Sequence, residues 1–306
     1  MALHPYISVI VPTFNRGASL ERLLTSLSSV ELPDSIRAEV IVVDNCSTDN
    51  TEEILLREKT RQSRFDFWAT KEETKGKSSA LNQGIGRARG EILIVVDDDV
   101  VVHQRWMIAH WECYRVSEFG AIQGRVLPGV DPQGRPADPS RLREYNIPVI
   151  DYGDTMREIR GLTGSNISFK RAVFEKVGGF DTRLGPGAAG FSEDTEYSIR
   201  IRQAGFKIGY TPDAVVYHEL SPARYGREYN RKVEYRKGLS RSLYRTDSIV
   251  FSVLPNLLAN CIRYPLYCLL GKTQKAYKTE GRIMKCCGYL AGKMRRRLWA
   301  DSHIKN

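Results

Sequence analysis

Ile92-Leu93-Ile94-Val95-Val96-Asp97-Asp98-Asp99 sets five consecutive apolar residues against three consecutive carboxylates. An apolar run with no polar alternation is the pattern of a strand covered on both faces, as in a parallel sheet with helices on either side. In open α/β sheets ligands bind at the C-terminal edge of the strands, and that is where the aspartates fall. Pleat alternation puts Asp97 and Asp99 on one side of the strand and Asp98 on the other. Carboxylates so crowded repel one another unless a cation neutralises them. Hard oxygen ligands suit Mg2+ or Mn2+, which usually bridge to phosphates. Taken alone, the same residues also fit an acidic strand-end turn that stays solvated.

Upstream, residues 40–43 form a second buried run that delivers Asp44 at its C-terminal end, followed by Asn45, Ser47 and Thr48. A carboxylate there can accept a hydrogen bond from a base N–H. Helix capping accounts for Thr48, Asp49 and Asn50 but not for Asp44. Residues 7–11 form a third run, and Pro12-Thr13-Phe14-Asn15-Arg16 follows it directly. A hydroxyl, an amide and a guanidinium thus reach the same sheet edge, where Arg16 can meet a diphosphate or remain a solvated loop residue. Leu20, Leu23, Leu24 and Leu27 make a helical stripe between these runs. Asp49 and Asn50, three residues before Glu52 and Glu53, mark a second helix start. Residues 65–69 read as a further strand and 78–89 as a helix leading into Ile92. The order β-α-β-α-β implies right-handed crossovers and a parallel sheet.

Downstream, residues 104–118 read as a helix, 121–127 as a strand, 128–139 as a Pro/Gly/Asp-rich loop and 161–169 as a small, polar segment. A short helix is expected over 171–177. The glycine-rich segment 184–190 follows, either a lid or a plain connection. A helix over 192–204 and strands over 207–210 and 214–217 complete this part. Glu193, Asp194 and Glu196 crowd the first turn of that last helix, where they serve either catalysis or the helix dipole. His218 ends the final alternating run, the place of a strand-end surface residue or of a ligand group. Gly84, Gly86 and Gly90 resemble a dinucleotide-binding motif, but that motif follows a strand and opens a helix. Here the glycines close a helix and precede a strand, which excludes an NAD-dependent enzyme.

A chain of 306 residues holds one large α/β domain plus an appendage. Residues 223–306 carry 19 Lys+Arg against 5 Asp+Glu, a net of +14; the whole chain is +10, which leaves residues 1–222 at −4. A basic tail behind an acidic body predicts an anionic partner for the tail. Cys46, Cys113, Cys261, Cys268, Cys286 and Cys287 show no C-x-x-C spacing. That fits a reduced, cytoplasmic compartment and indicates neither a zinc site nor a disulfide framework. Residues 7–11 are too short an apolar run for a signal-peptide core, so no targeting segment is expected.

The segments SVIVPTFNR (8–16), EVIVVDNCSTDNTEE (39–53), KGKSSALNQGI (75–85) and ILIVVDDDV (92–100) occur in the order and spacing of glycosyltransferase family 2. Further on, LTGSNISFKRAVFEKVGGFD (162–181) and GFSEDTEYSIRIRQAGFKIGYTPDAVVYH (190–218) resemble that family's second half. The resemblance implies a GT-A fold, a Rossmann-like α/β architecture with a mixed, mostly parallel sheet flanked by helices. It also implies an inverting, metal-dependent glycosyltransferase, of the hexosyltransferase class, with Mn2+ or Mg2+ as cofactor. In this resemblance Asp44 matches the acid that reads the nucleotide base, with Pro12, Thr13, Asn15 and Arg16 beside it. Lys77 and Asn82 fall near the nucleotide or diphosphate, and Asn166 faces the donor sugar. Asp97 and Asp99 match the D-x-D pair around Asp98, with Asp99 the direct metal ligand and His218 a further one. Asp194 matches the catalytic base, with Glu193 the second choice. Ser192 stands where many members have Gly, and three aspartates stand where two suffice.

Chemistry asks for these residue types. A divalent cation stabilises the charge developing on a leaving nucleoside diphosphate, and a carboxylate within reach takes the acceptor hydroxyl's proton. The expected organisation is a catalytic domain over residues 1–222 and a basic, amphipathic helical region over 223–306. In residues 248–271, Ser252, Asn256, Asn260, Arg263 and Tyr267 share one helical face. Val250, Leu254, Leu257, Leu258, Cys261, Ile262, Leu266 and Leu269 share the other. A helix lying in a bilayer interface, broken into pieces by Pro255 and Pro265, is the expected form. Arg241, Arg245, Lys272, Lys275, Lys278 and Arg282 would then attract anionic headgroups. The alternative is that the apolar stripe packs on the catalytic domain as core. The run 293–297 reads as a solvated basic end. Tyr225, Tyr229, Tyr235 and Tyr244 lie among arginines without any nucleic-acid motif, so no nucleic-acid partner is expected. The expected partners are a nucleotide-sugar donor, UDP-linked, a lipid-linked or polysaccharide acceptor, and an anionic membrane surface on the cytoplasmic side. A nucleotidyltransferase acting on a sugar phosphate and a non-catalytic sugar-nucleotide or glycan-binding protein are the rival readings.

Overall fold

The structure, a computed structural model, describes residues 6–61, 64–131, 134–136 and 148–304, with side chains as far as residue 295. Strands β1 (Tyr6–Thr13), β2 (Arg37–Asp44), β3 (Asp66–Lys71) and β4 (Ile92–Val96) run parallel in the order β3-β2-β1-β4. Their crossovers carry α1 (Gly17–Leu27), α2 (Thr51–Thr60) and α3 (Lys77–Arg87). Both faces of the sheet are covered, which is why the strands read as unbroken apolar runs. On one face Leu20, Leu23, Leu24 and Leu27 join Val9, Val11, Val40, Val42, Ile94 and Val96. On the other, Ala80, Leu81 and Ile85 join Ile10, Ile41, Val43, Leu93 and Val95. Each of these aliphatic side chains larger than Ala contributes roughly 1.5–3 kcal/mol by leaving water.

The glycines that mimic a dinucleotide motif have a packing role. A Cβ at Gly84 would lie 2.6 Å from Ile10 Cγ2, and one at Gly90 would lie 2.5 Å from the Ser8 backbone nitrogen. They let α3 and the chain entering β4 press against β1.

The second half extends the sheet and makes it mixed. It comprises β5 (Val100–Val102), α4 (Trp106–Arg115), β6 (Ala121–Pro128), β7 (Arg157–Ile159), β8 (Asn166–Lys170), α5 (Arg171–Val177), α6 (Glu193–Gln203) and β9 (Ile208–His218). The strand order is β3-β2-β1-β4-β8-β6-β9-β5, with β7 paired to β9. The segment expected to be merely small and polar contains β8, antiparallel to both β4 and β6. The two strands expected over 207–210 and 214–217 are one. Between them the pairing with β6 jumps from Gly124–Thr211 to Arg125–Val215, leaving residues 212–214 unpaired. Pro212 has no N–H to give the ladder, and a bulge accommodates it. The loop expected over 128–139 is described only at residues 128–131 and 134–136.

Past the sheet come α7 (Arg227–Tyr244), a π-turn (Ile249–Val253), α8 (Leu254–Leu269) and α9 (Thr273–Ile304). The described residues form two compact units, one of the chain up to Thr182 with Glu193–Ser221, the other of Arg183–Ser192 with the chain from Pro222. In the second unit, Phe191 N–H donates to Ser240 Oγ at 3.3 Å. A Cβ at Gly238 would collide with the Lys285 carbonyl, and one at Gly288 with that of Tyr235. Helices α7 and α9 therefore touch backbone to backbone. The helix α8 is not broken at its prolines. Pro255 sits in its first turn, where the missing N–H costs nothing. Pro265 and Cys261, whose carbonyl loses its partner there, are both exposed. Phe251 of the π-turn and Leu258, Ile262, Leu266 and Leu269 of α8 are between 50% and 87% exposed, while polar Asn260 is buried. The side chains of Arg296 and Arg297, in the run expected to be a solvated end, lie outside the described residues.

Candidate active site

The C-terminal edge of the parallel strands collects the polar residues that follow each apolar run. Thr13 ends β1 opposite Asp44, which ends β2. Asp44 is 2% exposed and accepts the Ser47 N–H at 2.9 Å. Asn15, in the left-handed region at φ 51°, joins this edge: its N–H donates to Ser47 Oγ and its Oδ1 accepts the Thr48 N–H. Asn45 is the buried tie to the next loop. Its amide donates to the Glu72 and Thr74 carbonyls and accepts the Gly76 N–H at 2.7 Å, which positions Lys77 at the start of α3. Pro12 is buried within β1 and offers no polar group of its own.

Strand β4 ends at Val96, and the three aspartates of the turn that follows divide their contacts. Asp98 turns to β1, accepting the Thr13 hydroxyl at 2.8 Å and the Arg16 guanidinium at 2.9 Å. Burial, opposed by Arg16 and reinforced by Asp99, pushes its carboxyl up to about 6. Asp97 and Asp99 turn the other way and meet His218, at the end of β9. One donor atom from each of the three lies within 4.8 Å of the other two. His218 is 1% exposed, and its Nδ1 is 3.0 Å from the Glu219 carbonyl. A carbonyl only accepts, so Nδ1 carries the proton, and the Nε2 of a neutral ring presents a lone pair toward Asp99 Oδ1, 3.5 Å away. Two carboxylates, Asp99 buried and Asp97 partly so, and an imidazole lone pair, converging from two strand ends, fit a divalent cation such as Mn2+ or Mg2+.

Two basic side chains compensate this acidity. Arg16 bridges Asp98 and Asp99, at 2.9 and 2.8 Å. Lys77 bonds Asp97 through Nζ and lies 3.7 Å from Glu193. Burial disfavours the Lys77 ammonium, yet Asp97 and Glu193 outweigh it and raise its pKa above the ordinary lysine value. Glu193 and Asp194 open α6 but differ in setting. Burial, with repulsion from Asp194 and relief from Lys77, raises the Glu193 carboxyl to about 7. Asp194 accepts the Gly164 N–H at 2.9 Å through one oxygen and the Thr195 N–H at 2.6 Å through the other. Ser192, just before the pair, has φ 75°, the backbone that glycine adopts without strain.

One expected contact, that of Asn166 with the donor sugar, is taken up by protein. Asn166 is fully buried, and its amide is spent on protein. Its Oδ1 accepts from Trp106 Nε1 and His110 Nε2, and its Nδ2 donates to the Arg125 and Ala214 carbonyls. Burial lowers the His110 pKa to about 4, so its ring is neutral, with Nε2 the donor and Nδ1 accepting from Ser168 Oγ at 2.9 Å. No group of Asn166 remains for a donor sugar; it locks β8, α4, β6 and β9 together. Asn82, half-buried, exchanges two hydrogen bonds with the Phe180 backbone, at 2.9 and 2.7 Å, and ties α3 to that loop.

Residues not anticipated line a cavity of about 470 Å3 beside Asp99. Its walls include Val101, Pro128, Val130 and Tyr217, and its rim Ser19, Arg22 and Glu219. Glu219 accepts from both Ser19 Oγ and Arg22 NH2, at 2.8 and 2.6 Å. Nothing in the spacing of Ser19, Arg22 and Glu219 signals this contact, since some 200 residues separate its partners. His218 was the available clue, being adjacent to Glu219.

A model of glycosyl transferase family 2 matches residues 8–178. The chain is 26% identical over 218 residues to the glycosyltransferase AglE of Haloferax volcanii, covering 71% of this chain and 68% of that one. It spans only 55% to 60% of the length of further curated relatives that it matches. Among solved structures, the mannosyltransferase PcManGT of Pyrobaculum calidifontis, in complex with GDP-Man and Mn2+, is similar in fold (TM-score 0.56). It is 21% identical, with 99% of this chain and 81% of that one covered. TarS 1-349 of S. aureus, in complex with UDP-GlcNAc, is similar at TM-score 0.55 and 17% identity, covering 95% and 92%. With the family model covering more than half of its length, the chain belongs to glycosyl transferase family 2.

Proposed function

We propose that this protein transfers a sugar, with inversion, from a nucleotide-sugar donor to a hydroxyl of a lipid-linked or polysaccharide acceptor. The observation that carries this reading is the convergence of Asp97, Asp99 and His218 within 4.8 Å, with Lys77 linking that cluster to Glu193 beside Asp194. Asp97, Asp99 and His218 would hold Mn2+ or Mg2+, which when bound acts as a Lewis acid toward the diphosphate oxygens. Asp194 takes the proton of the attacking hydroxyl. Its two backbone hydrogen bonds fix the carboxylate while leaving it lone pairs for the acceptor. Lys77 limits the repulsion between Asp97 and the α6 acids, so that both charge clusters persist close together. Asp44 accepts from a base N–H at the far end of the same sheet edge. With a single base and no second carboxylate acting as nucleophile, direct displacement follows.

The donor nucleotide is read as UDP. Neighbours in fold are solved with UDP-GlcNAc and with GDP-Man, so both belong in the test panel. The C-terminal unit supports placement at a membrane. The stretch Ile249–Leu269 has a window of mean hydropathy 1.3 that is only 11% buried. Its outer apolar face is flanked by exposed Arg263, Lys272 and Lys275. With Asn256, Asn260 and Arg263 interrupting it, we read this stretch as lying in the interface on the cytoplasmic side.

The test is a donor panel with Mn2+, scored by thermal stabilisation and then by product. Release of nucleoside diphosphate with sugar transfer supports the reading. Release of pyrophosphate would reassign the chain as a nucleotidyltransferase. Donor binding without turnover, unchanged by Asp194→Asn, would make it a non-catalytic binder.

A further inference from the structure

The inner face of α8 meets α7 and α9 around a second cavity, of about 280 Å3, within the C-terminal unit. Its charged wall is uneven. Arg241 closes on Asp247 through two hydrogen bonds, at 2.6 and 3.0 Å, so their charges cancel. Arg282 and Lys285 form no ion pair among the described residues, and they bring two further cations to the cavity. Burial, with Lys237 and Arg241 adding repulsion and Glu234 opposing, lowers the Lys285 pKa below the ordinary lysine value.

The opposite wall holds Asn260, 3% exposed. Its Nδ2 donates to the Asn256 carbonyl at 2.6 Å. Since a carbonyl only accepts, the amide is fixed with Oδ1 pointing away from that bond. Oδ1 is buried and has no hydrogen-bond partner, a costly condition that calls for a donor. Arg282, Lys285 and Asn260 line one cavity, and two cations with one orphaned acceptor suit a phosphate ester that also carries a hydroxyl.

We propose that this cavity receives the headgroup of an anionic phospholipid bearing a free hydroxyl. Its phosphate lies at Arg282 and Lys285, and its hydroxyl donates to Asn260 Oδ1. A lipid is favoured over a soluble ester because the helix that walls the cavity exposes Leu258 and Ile262 on its other side. A helix seated at the headgroup–acyl boundary holds its inner face at headgroup depth. The inference rests on the interfacial reading of α8.

The experiment is vesicle co-sedimentation of the full chain. One set of vesicles mixes phosphatidylcholine with phosphatidylglycerol; the other replaces phosphatidylglycerol with phosphatidylethanol, which has the same charge but no hydroxyl. Wild type should bind the glycerol lipid roughly 5-fold more tightly, the worth of one hydrogen bond to an otherwise unpaired acceptor. Asn260→Leu should erase that preference. Arg282→Gln with Lys285→Gln should weaken binding to both anionic vesicles by roughly 10-fold or more, whereas exposed Lys278→Gln costs a few-fold at most. Melting temperatures close to wild type confirm that the variants fold, and Arg282, being exposed, keeps the test open if Asn260→Leu does not. Equal binding to both lipids, or pocket variants no weaker than Lys278→Gln, overturns the headgroup assignment and leaves the docking helix intact. Stabilisation by soluble glycerol 3-phosphate without any lipid preference reassigns the cavity to a soluble ester. If no vesicle binds and Leu258→Glu with Ile262→Glu changes nothing, the interfacial reading itself falls.

Discussion

Asp97, Asp99 and His218 on one side of the site, and Glu193 and Asp194 on the other, are acidic clusters kept together by different means. The first is compensated by Arg16, whose side chain is 40% exposed and whose two partners are nearly buried. The second shares Lys77, 15% exposed, with Asp97. An ion pair whose cation is partly open to water is screened more than one that is enclosed. A buried ammonium between carboxylates cannot leave without stranding them. The contrast is between a corner whose compensating charge is partly open to water and one whose compensating charge is enclosed.

Predictions follow from forcing either corner to behave like the other. Asp194→Asn keeps the carbonyl that accepts the Gly164 N–H but cannot take a proton. Turnover should fall by roughly 10^3-fold or more, within the range of lost general-base catalysis, while Mn2+-dependent donor binding in a thermal-shift assay stays near wild type. Lys77→Met removes the shared cation and leaves Asp97 facing Glu193 and Asp194. Urea unfolding should report a loss of about 3–5 kcal/mol, the usual result of breaking a buried pair, and equal stability in the variant would show that the two corners are not coupled. Asp99→Ala should abolish the shift that Mn2+ and donor produce together, whereas the metal-free protein should unfold close to its original midpoint. Arg16→Gln sharpens the comparison by splitting its sign. With Asp98 and Asp99 released, donor-free Mn2+ should bind a few-fold more tightly, yet donor affinity should drop roughly 10-fold if the guanidinium meets the diphosphate. The smallest effects concern α6. Glu193 titrates at about 7 in the fold and near 4.5 unfolded, so the folded state holds more protons between those values. Stability of the metal-free protein should therefore fall as pH rises from about 4.5 to 7. Glu193→Gln should flatten that slope without removing it, since Asp98, raised to about 6, adds a contribution of the same sign. Ser192→Gly, relieving φ 75°, should raise stability by about 1 kcal/mol, read as a shift in the unfolding midpoint.

The C-terminal unit repeats the theme on a larger scale. In α8, Leu258, Ile262, Leu266 and Leu269 are exposed while polar Asn260 is buried, the reverse of α1, whose leucines are all buried. The two helices have the same kind of pattern, and pattern tells only that a helix has two faces. Which face meets protein depends on what else is nearby.

That is also where the sequence stopped being sufficient. The apolar runs ending in Asp44 and Asp97 determined a doubly covered sheet and the edge at which polar groups gather, because strand alternation and buried hydrophobicity are local properties. The grouping of Asp97 and Asp99 with His218, apart from Asp98, agrees with the strand alternation expected there, although the three aspartates lie in the turn beyond the strand. The role of Asn166 did not follow: an amide in a motif looks alike whether it waits for a ligand or is spent on four protein partners. Neither did β8, nor the joining of His218 to the aspartates some 120 residues earlier. Those are decided by long-range strand pairing and by the hydrogen-bond accounting of a closed interior, which no short window of residues contains.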